Sequence, residues 1–267
     1  MGPKPSVVID FTGLEGQEYY VSLLSEITRY GPWNADAAWE NETSDERALM
    51  QKFRAFAISK NTNFLGHYSK LNGDDTYSWG YYPPQTFQIM VYFPDSDMFL
   101  LSDKTYERYA FHSYYRVNAE AWFSAGEMDP QANLAAVQNY DFGAEIIGFA
   151  LRLVLTLAIE LGLAWLLFYR RQKQLQLILA VNLFTQIALN LVLAFAGYKQ
   201  GPWAFIFFYF TLEILIFAVE AIVYRLRLLG QAGRTVEKLG PVVYALAANV
   251  LSFGAGLLVS DYLLGLF

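Results

Sequence analysis

Three glutamates and four amides stand inside otherwise apolar runs in the second half of this chain: Glu160, Glu213 and Glu220, with Asn182, Gln186, Asn190 and Asn249. In hydrocarbon such groups are costly, so they face a bundle interior, a water-filled cavity or one another. Carboxylate and amide oxygens are the hard ligands that Mg²⁺, Ca²⁺ or Mn²⁺ prefer, and a buried glutamate can also carry protons. The plainer alternative is interhelical glue, each contact worth about 0.6 kcal/mol. A Glu-based hydrolase within the membrane has the least support, because the sequence offers no Gly-Asp aspartyl motif and no serine with a base beside it.

The elements that must position these groups are four apolar stretches near 144–169, 175–197, 203–224 and 240–266, each close to the roughly 20 residues needed to span a bilayer core. The spacing of Asn182, Gln186 and Asn190 makes one polar stripe on the second helix; Glu213 and Glu220 share a face of the third, as Arg152 and Glu160 do on the first. Counted from the outer ends, Glu160 and Glu220 both lie roughly 24–26 Å deep, and Asn182 and Asn249 lie roughly 10–14 Å from the inner ends. One cluster in the inner half of the bundle is therefore expected, with Gln186 and Glu213 a layer nearer its centre. Ala248, Ser252, Gly256 and Ser260 form a small-residue ridge suited to close helix packing or to a contact within a homo-oligomer.

Charge orients the bundle. The first and third connections hold seven Lys and Arg and the second holds Lys199 alone, which puts the amino-terminal part and the carboxyl terminus outside. Trp203, Tyr198, Tyr169, Tyr224 and Tyr262 read as interfacial anchors. An exported amino-terminal part needs a signal peptide, and Met1–Ser6 has no apolar core of that kind, so a longer precursor is expected.

Residues 1–143 hold ten Lys and Arg against nineteen Asp and Glu, an acidic balance that argues against nucleic acid as a partner. The chain has no cysteine, which removes disulfides, thiolate metal sites and a Cys nucleophile. Its two histidines, His67 and His112, both precede the apolar half, so an intramembrane His-ligand metalloprotease is excluded. Nucleotide and dinucleotide fingerprints and serine-hydrolase elbows are absent, and no cofactor is implied.

In this acidic part, alternating runs at 7–11, 19–24, 87–93, 98–101 and 106–117 predict strands, with Thr12–Gln17 joining the first two as a hairpin and Pro94–Asp97 joining the third and fourth. One helix is expected over 44–58, capped by Ser44. The predicted architecture is an extracytoplasmic, mainly-β sandwich of the immunoglobulin or prealbumin type with one helical insertion at 1–118, a connector at 119–143 and a four-helix transmembrane domain at 144–267. Trp79, Tyr81 and Tyr82 lie in an aromatic, turn-rich segment that, with Trp33 and Trp39, can line an external recognition site or simply pack. A lone strand histidine is ordinarily hydrogen-bonded rather than a metal ligand. Asn41-Glu42-Thr43 matches a glycosylation sequon.

Pro3–Ser25, Tyr77–Pro84 and the core Leu151–Tyr224, with Ile159-Glu160-Leu161-Gly162, Asn182-Leu183-Phe184-Thr185-Gln186 and Leu212-Glu213-Ile214-Leu215, resemble an uncharacterised family of bacterial cell-envelope proteins. That resemblance implies a signal peptide, an exported domain and four helices, and it assigns no functional residue. The expected function is a bacterial plasma-membrane protein whose exported domain binds an extracellular ligand or an envelope protein, as sensor or accessory subunit. The alternative is a small ion- or proton-coupled transporter or channel built on the intramembrane cluster.

Overall fold

Alternation fixes the first half. In β2 (Glu18–Ser25) and β8 (Thr86–Phe93), Tyr19, Val21, Leu23, Phe87, Ile89, Val91 and Phe93 point to one face, while Tyr20, Leu24, Met90 and Tyr92 point to the other. Both faces are covered, so these strands read as almost continuous apolar runs rather than half-polar ones. The computed structural model describes residues 3–39, 42–124, 127–129, 132–167, 169–228 and 240–264. The chain divides into two compact units, 1–140 and 141–267.

In the first unit the strands in chain order are β1 (Ser6–Thr12), β2, β3 (Arg29–Tyr30), β4 (Trp33–Asn34), β5 (Asn63–Phe64), β6 (Ser69–Asn72), β7 (Thr76–Trp79), β8, β9 (Met98–Leu101), β10 (Tyr106–Glu107), β11 (His112–Asn118), β12 (Phe123–Ser124), β13 (Glu127–Met128) and β14 (Ala136–Gln138). One sheet runs β14-β11-β1-β7; a second runs β10-β8-β2-β5, with β6 on β2 and β9 on β8. Val7, Ile9, Phe11, Tyr115 and Val117 of the first share one core with the inner residues of β2 and β8. Helix α1 (Ser44–Ser59) lays Met50, Phe53 and Ala57 on the opposite face of the second sheet. Phe53 alone meets the rings of Tyr20, Phe64, Tyr68, Tyr92 and Phe99.

Several expectations change here. Thr12–Gln17 does not close a hairpin: β1 and β2 belong to different sheets, and the segment arches between them. Gly13 makes the arch possible, with φ +84° and only 2.6 Å between a notional Cβ and the Glu120 nitrogen. The run 106–117 is not one strand, because Ser113 Oγ accepts the amides of Tyr109 and Ala110 and folds a turn that sends β10 and β11 to different sheets. Helix α1 is capped by Thr43, not Ser44; its hydroxyl accepts from the Glu46 amide while the Glu46 carboxylate accepts from the Thr43 amide, a reciprocal box. The segment read as a connector contributes β14, antiparallel to β11. The β1–β11 ladder is parallel, unlike the other strand ladders among the described residues. Pro94–Asp97 does close the β8–β9 hairpin. Asn41 of the sequon lies outside the described residues.

The second unit contains α2 (Phe142–Leu166), α3 (Gln172–Gln200), α4 (Pro202–Arg227) and α5 (Gly240–Leu264). All four are long and apolar enough to cross a membrane. Each packs on two neighbours, in the cyclic order α2–α3–α4–α5. The connection expected between the spans 175–197 and 203–224 shrinks to Gly201, whose φ of +87° ends α3 while Pro202 opens α4 with a φ already suited to a first turn. The third connection, 229–239, lies outside the described residues.

Burial along the helices is inverted relative to the β unit. Gly148, Arg152, Thr156, Glu160 and Ala164 of α2, spaced by four, all face inward. Phe184, 76% exposed, and Phe195, Phe207, Ile214 and Leu226 face outward. An apolar exterior around a polar interior is what a hydrocarbon solvent selects.

Candidate functional site

All seven polar residues singled out by spacing are buried inside the bundle: Glu160, Asn182, Gln186, Asn190, Glu213, Glu220 and Asn249. A hydrogen-bonded network joins α3, α4 and α5. Thr185 Oγ1 donates to Glu220 Oε1 at 3.0 Å, Asn249 Nδ2 donates to Glu220 Oε2 at 2.6 Å, and Asn182 Nδ2 donates to the Tyr224 hydroxyl at 2.9 Å. On α2, Glu160 meets the Tyr244 hydroxyl of α5, which donates to the Glu160 carbonyl at 3.1 Å and lies 3.5 Å from its carboxylate. Glu160 and Glu220 are within electrostatic reach of each other.

Helix periodicity explains the convergence. Glu213, Ile216, Glu220 and Tyr224 recur at three or four residues along α4, and Ala245, Ala248, Asn249 and Ser252 do so along α5, so each helix turns one mixed stripe toward the axis. Asn190 is held apart from this network: its carbonyl accepts Arg152 Nε at 2.9 Å, and its amide donates to the Gln186 main-chain carbonyl at 2.8 Å. Glu213 sits two turns from Glu220 with no hydrogen bond to the network.

One donor, Arg152 Nη1, and four acceptors go unpaired inside the bundle. Glu160 Oε1, Asn182 Oδ1, Glu213 Oε2 and Asn249 Oδ1 are buried with no hydrogen-bond partner. Leaving such atoms unpaired costs ~1–3 kcal/mol apiece, more if charged. No group of three His, Cys, Asp or Glu side chains is arranged to hold a metal among the described residues.

The sequence did not single out Thr185 and Tyr244 as partners of Glu220 and Glu160, or Tyr224 as the partner of Asn182. Tyr224 is fully buried rather than an interfacial anchor; its place four residues after Glu220 was the available signal. Trp203 does face outward, and the Tyr262 side chain lies outside the described residues. The small-residue ridge points inward, with Ala248 and Ser252 buried and Gly256 against the Tyr209 hydroxyl, where a Cβ has no room. Ser260 lies outside the described side chains.

In the β unit, Trp79 is fully buried and cannot present itself to a ligand, because β7 turns Tyr77 and Trp79 together into the core. Tyr81 and Tyr82 are each 41% exposed. The indoles of Trp33 and Trp79 both donate to the Tyr81 carbonyl, at 2.6 and 2.9 Å. Tyr82 adopts φ +52°, unusual for an aromatic residue, with its ring against Gly31 and 5.8 Å from Tyr30. Trp39 instead packs on Phe64 beneath the Arg54 guanidinium. His67 lies between the Trp33 and Trp79 rings, and burial lowers its pKa to about 4. His112 accepts or donates one bond to Ser6 Oγ at 2.7 Å, and burial lowers its pKa too.

No protein-family model matches the chain, and no curated protein does. Among solved structures, a "putative cell adhesion protein" from Bacteroides ovatus matches at 13% identity with a TM-score of 0.24, over 52% of this chain. The chain spans 44% of that protein's length. A likeness so distant carries no argument about fold or activity.

Proposed function

We propose that the protein is a membrane protein whose helical bundle binds and releases protons at the Glu160–Glu220 pair, as the coupling site of a small transporter. The observation that carries this reading is the surplus of buried acceptor oxygens. Interhelical glue would pair its polar atoms, whereas this interior brings two carboxylates together with hydroxyl and amide donors enough for only part of their oxygens. Two buried carboxylates within electrostatic reach of each other, with the Arg152 Nε placed on Asn190 rather than on either of them, are relieved most simply by a proton. Among the described residues no three carboxylate or imidazole side chains are arranged to hold a metal, and this favours a proton over a divalent cation.

Infrared difference spectra of the protein in lipid vesicles, recorded as the bathing pH is stepped from acid to alkaline, test this. A protonated-carboxyl band that changes with pH and is altered in both Glu160→Gln and Glu220→Gln is the expected result. A spectrum in which no carboxyl band responds to pH refutes the reading.

A second reading concerns the acidic β unit, whose place on the external face is supported by the seven-to-one bias of basic residues. The Tyr81–Tyr82 corner supports recognition of an extracellular ligand or envelope protein, because two indoles fix the Tyr81 carbonyl and the adjacent Tyr82 is held at a positive φ, with both rings partly exposed. A cysteine in place of Tyr81, in a chain with none of its own, should react with an impermeant thiol reagent in intact cells; protection there counts against it.

A further inference from the structure

Where α2 gives way to α3, a groove of about 620 Å³ lies on the outward side of the bundle. Its floor is Gly162, where an added Cβ would meet nothing within 4 Å, and its sides are Leu161, Leu175 and Leu179. Arg170 and Gln172 line the end nearest the connection, beside the exposed ring of Trp165. Arg170 is fixed there, its Nε donating to the Trp165 carbonyl at 3.1 Å and its guanidinium carbon 4.4 Å from the centre of the Trp165 ring. Arg171 and Lys173 are exposed next to it, and no Asp or Glu stands in the sequence between Glu160 and Glu213.

We propose that this groove holds an anionic phospholipid, its phosphate on the cluster of Arg170, Arg171 and Lys173 and one acyl chain laid along Gly162 between the leucines. Charge selects the head. Three cations within four residues, with no carboxylate near them in the sequence, attract a net-negative headgroup by about 1 kcal/mol each, whereas the choline of a zwitterionic lipid would meet its own sign. The planar guanidinium suits a phosphate in particular, since its fork matches two phosphate oxygens at once. The body must be hydrocarbon, because the leucine-lined part of the groove offers a polar ion nothing to bond. From Gln172 to Leu179 the groove follows α3 for about 10 Å, from headgroup level into the apolar span, and Trp165 stands at that boundary as interfacial indoles do. A second copy of the chain paired symmetrically through this groove would bring two such cation clusters together. This inference goes beyond proton binding and shares with it only the placement of the helices in lipid.

The test uses the full chain in phosphatidylcholine vesicles carrying a trace of phosphatidylglycerol with a diazirine on its acyl chain and, in parallel, phosphatidylcholine with the same labelled chain. Phosphatidylglycerol adducts should concentrate on the groove residues of α2 and α3, and phosphatidylcholine adducts should spread over the outward faces of all four helices. Arg170→Gln should lower groove labelling about fivefold, the worth of one basic residue at an anionic headgroup. Gly162→Leu should remove it by filling the floor while leaving the cations in place, and since an added Cβ there meets no neighbour this variant keeps the fold. Glu160→Gln should leave labelling unchanged, so failure here is distinct from failure of the proton reading. Equal labelling of the groove by the two lipids overturns the proposal. Phosphatidylglycerol labelling that persists in Gly162→Leu also overturns it, by reducing the cations to a diffuse attraction. Efficient cross-linking between copies through Leu179→Cys, without lipid adducts, does so too, by making the groove an interface between chains.

Discussion

The two units solve opposite problems with the same kinds of residue. In the β unit the interior is apolar, and the hydroxyls of Ser22, Ser102 and Ser113 are each absorbed by a nearby main-chain carbonyl. In the helical unit the exterior is apolar and the interior holds three glutamates, an arginine and four amides. Water rewards the first arrangement by removing hydrocarbon from contact with it, while lipid makes no such distinction among apolar groups and leaves packing and polar pairing to hold helices together. A side chain's burial therefore means different things in the two halves. Buried phenylalanine marks stability in the first, and buried glutamate marks the candidate site in the second.

The largest effect that would break this contrast is in the β unit. Phe53→Ala removes the ring on which five other aromatic side chains converge, and should lower stability by about 3–5 kcal/mol. Its counterpart in the helices, Phe184→Ala, removes a ring that faces outward, and should change the stability of the bundle by less than about 1 kcal/mol in micelles. Thermal unfolding followed by tryptophan emission reads the first, since Trp33, Trp39, Trp79 and Trp122 all lie in the β unit. Equal losses from the two substitutions would show that the outer face of the helices is a water-excluding core after all.

Much of this contrast is visible in the sequence, and the exceptions have identifiable physical causes. Period-two alternation reveals β1, β2, β8 and β9, and spacing by four puts Asn182, Gln186 and Asn190 on one buried stripe. Pairing is not visible: the glycine-rich Thr12–Gln17 suits a hairpin or an arch equally, and only the Glu120 backbone pressed against Gly13 chooses the arch. Aromatic density around residue 80 does not say which rings face water. The i, i+2 relation of Tyr77 and Trp79 does, and it places Trp79 in the core while Tyr81 lies beyond the strand. Donor shortage among the carboxylates is invisible in one dimension, because Thr185, Tyr224 and Tyr244 reach Glu220, Asn182 and Glu160 from different helices.

Acid sharpens the comparison at the next level. Burial among Trp33, Tyr77 and Trp79 holds the His67 imidazole at about 4, below its ordinary 6.5, so the folded β unit favours the neutral ring. Between those values the unfolded chain binds more protons than the folded one. Its contribution to stability is fully present above 6.5 and is lost as pH falls toward 4, by roughly 2 kcal/mol once partial exposure of the ring is allowed for. Guanidinium midpoints of the wild type and of His67→Phe, compared at about pH 7 and about pH 4.5, isolate this loss because the surface carboxylates titrate alike in both chains. An acid-induced loss of the same size in both would remove His67 as its source.

The smallest expected effect is the most discriminating for the bundle. Asn182 is fully buried, donates to the Tyr224 hydroxyl and to the Ile178 carbonyl, and leaves its own carbonyl oxygen without a donor. Replacing it with leucine, which has the same heavy-atom branching, deletes an interhelical bond worth ~0.6 kcal/mol and at the same time removes an unsatisfied acceptor, so the two terms oppose. The net change in stability, measured by unfolding in mixed micelles, should therefore fall within about 1 kcal/mol of zero and well below that of Phe53→Ala. The pH-dependent carboxyl signal should shift, because the amide beside Tyr224 helps set the polarity around Glu160 and Glu220. A large stability loss with an unchanged carboxyl signal would mean that the polar stripe of α3 is structural, and the bundle would then differ from the β unit in composition but not in purpose.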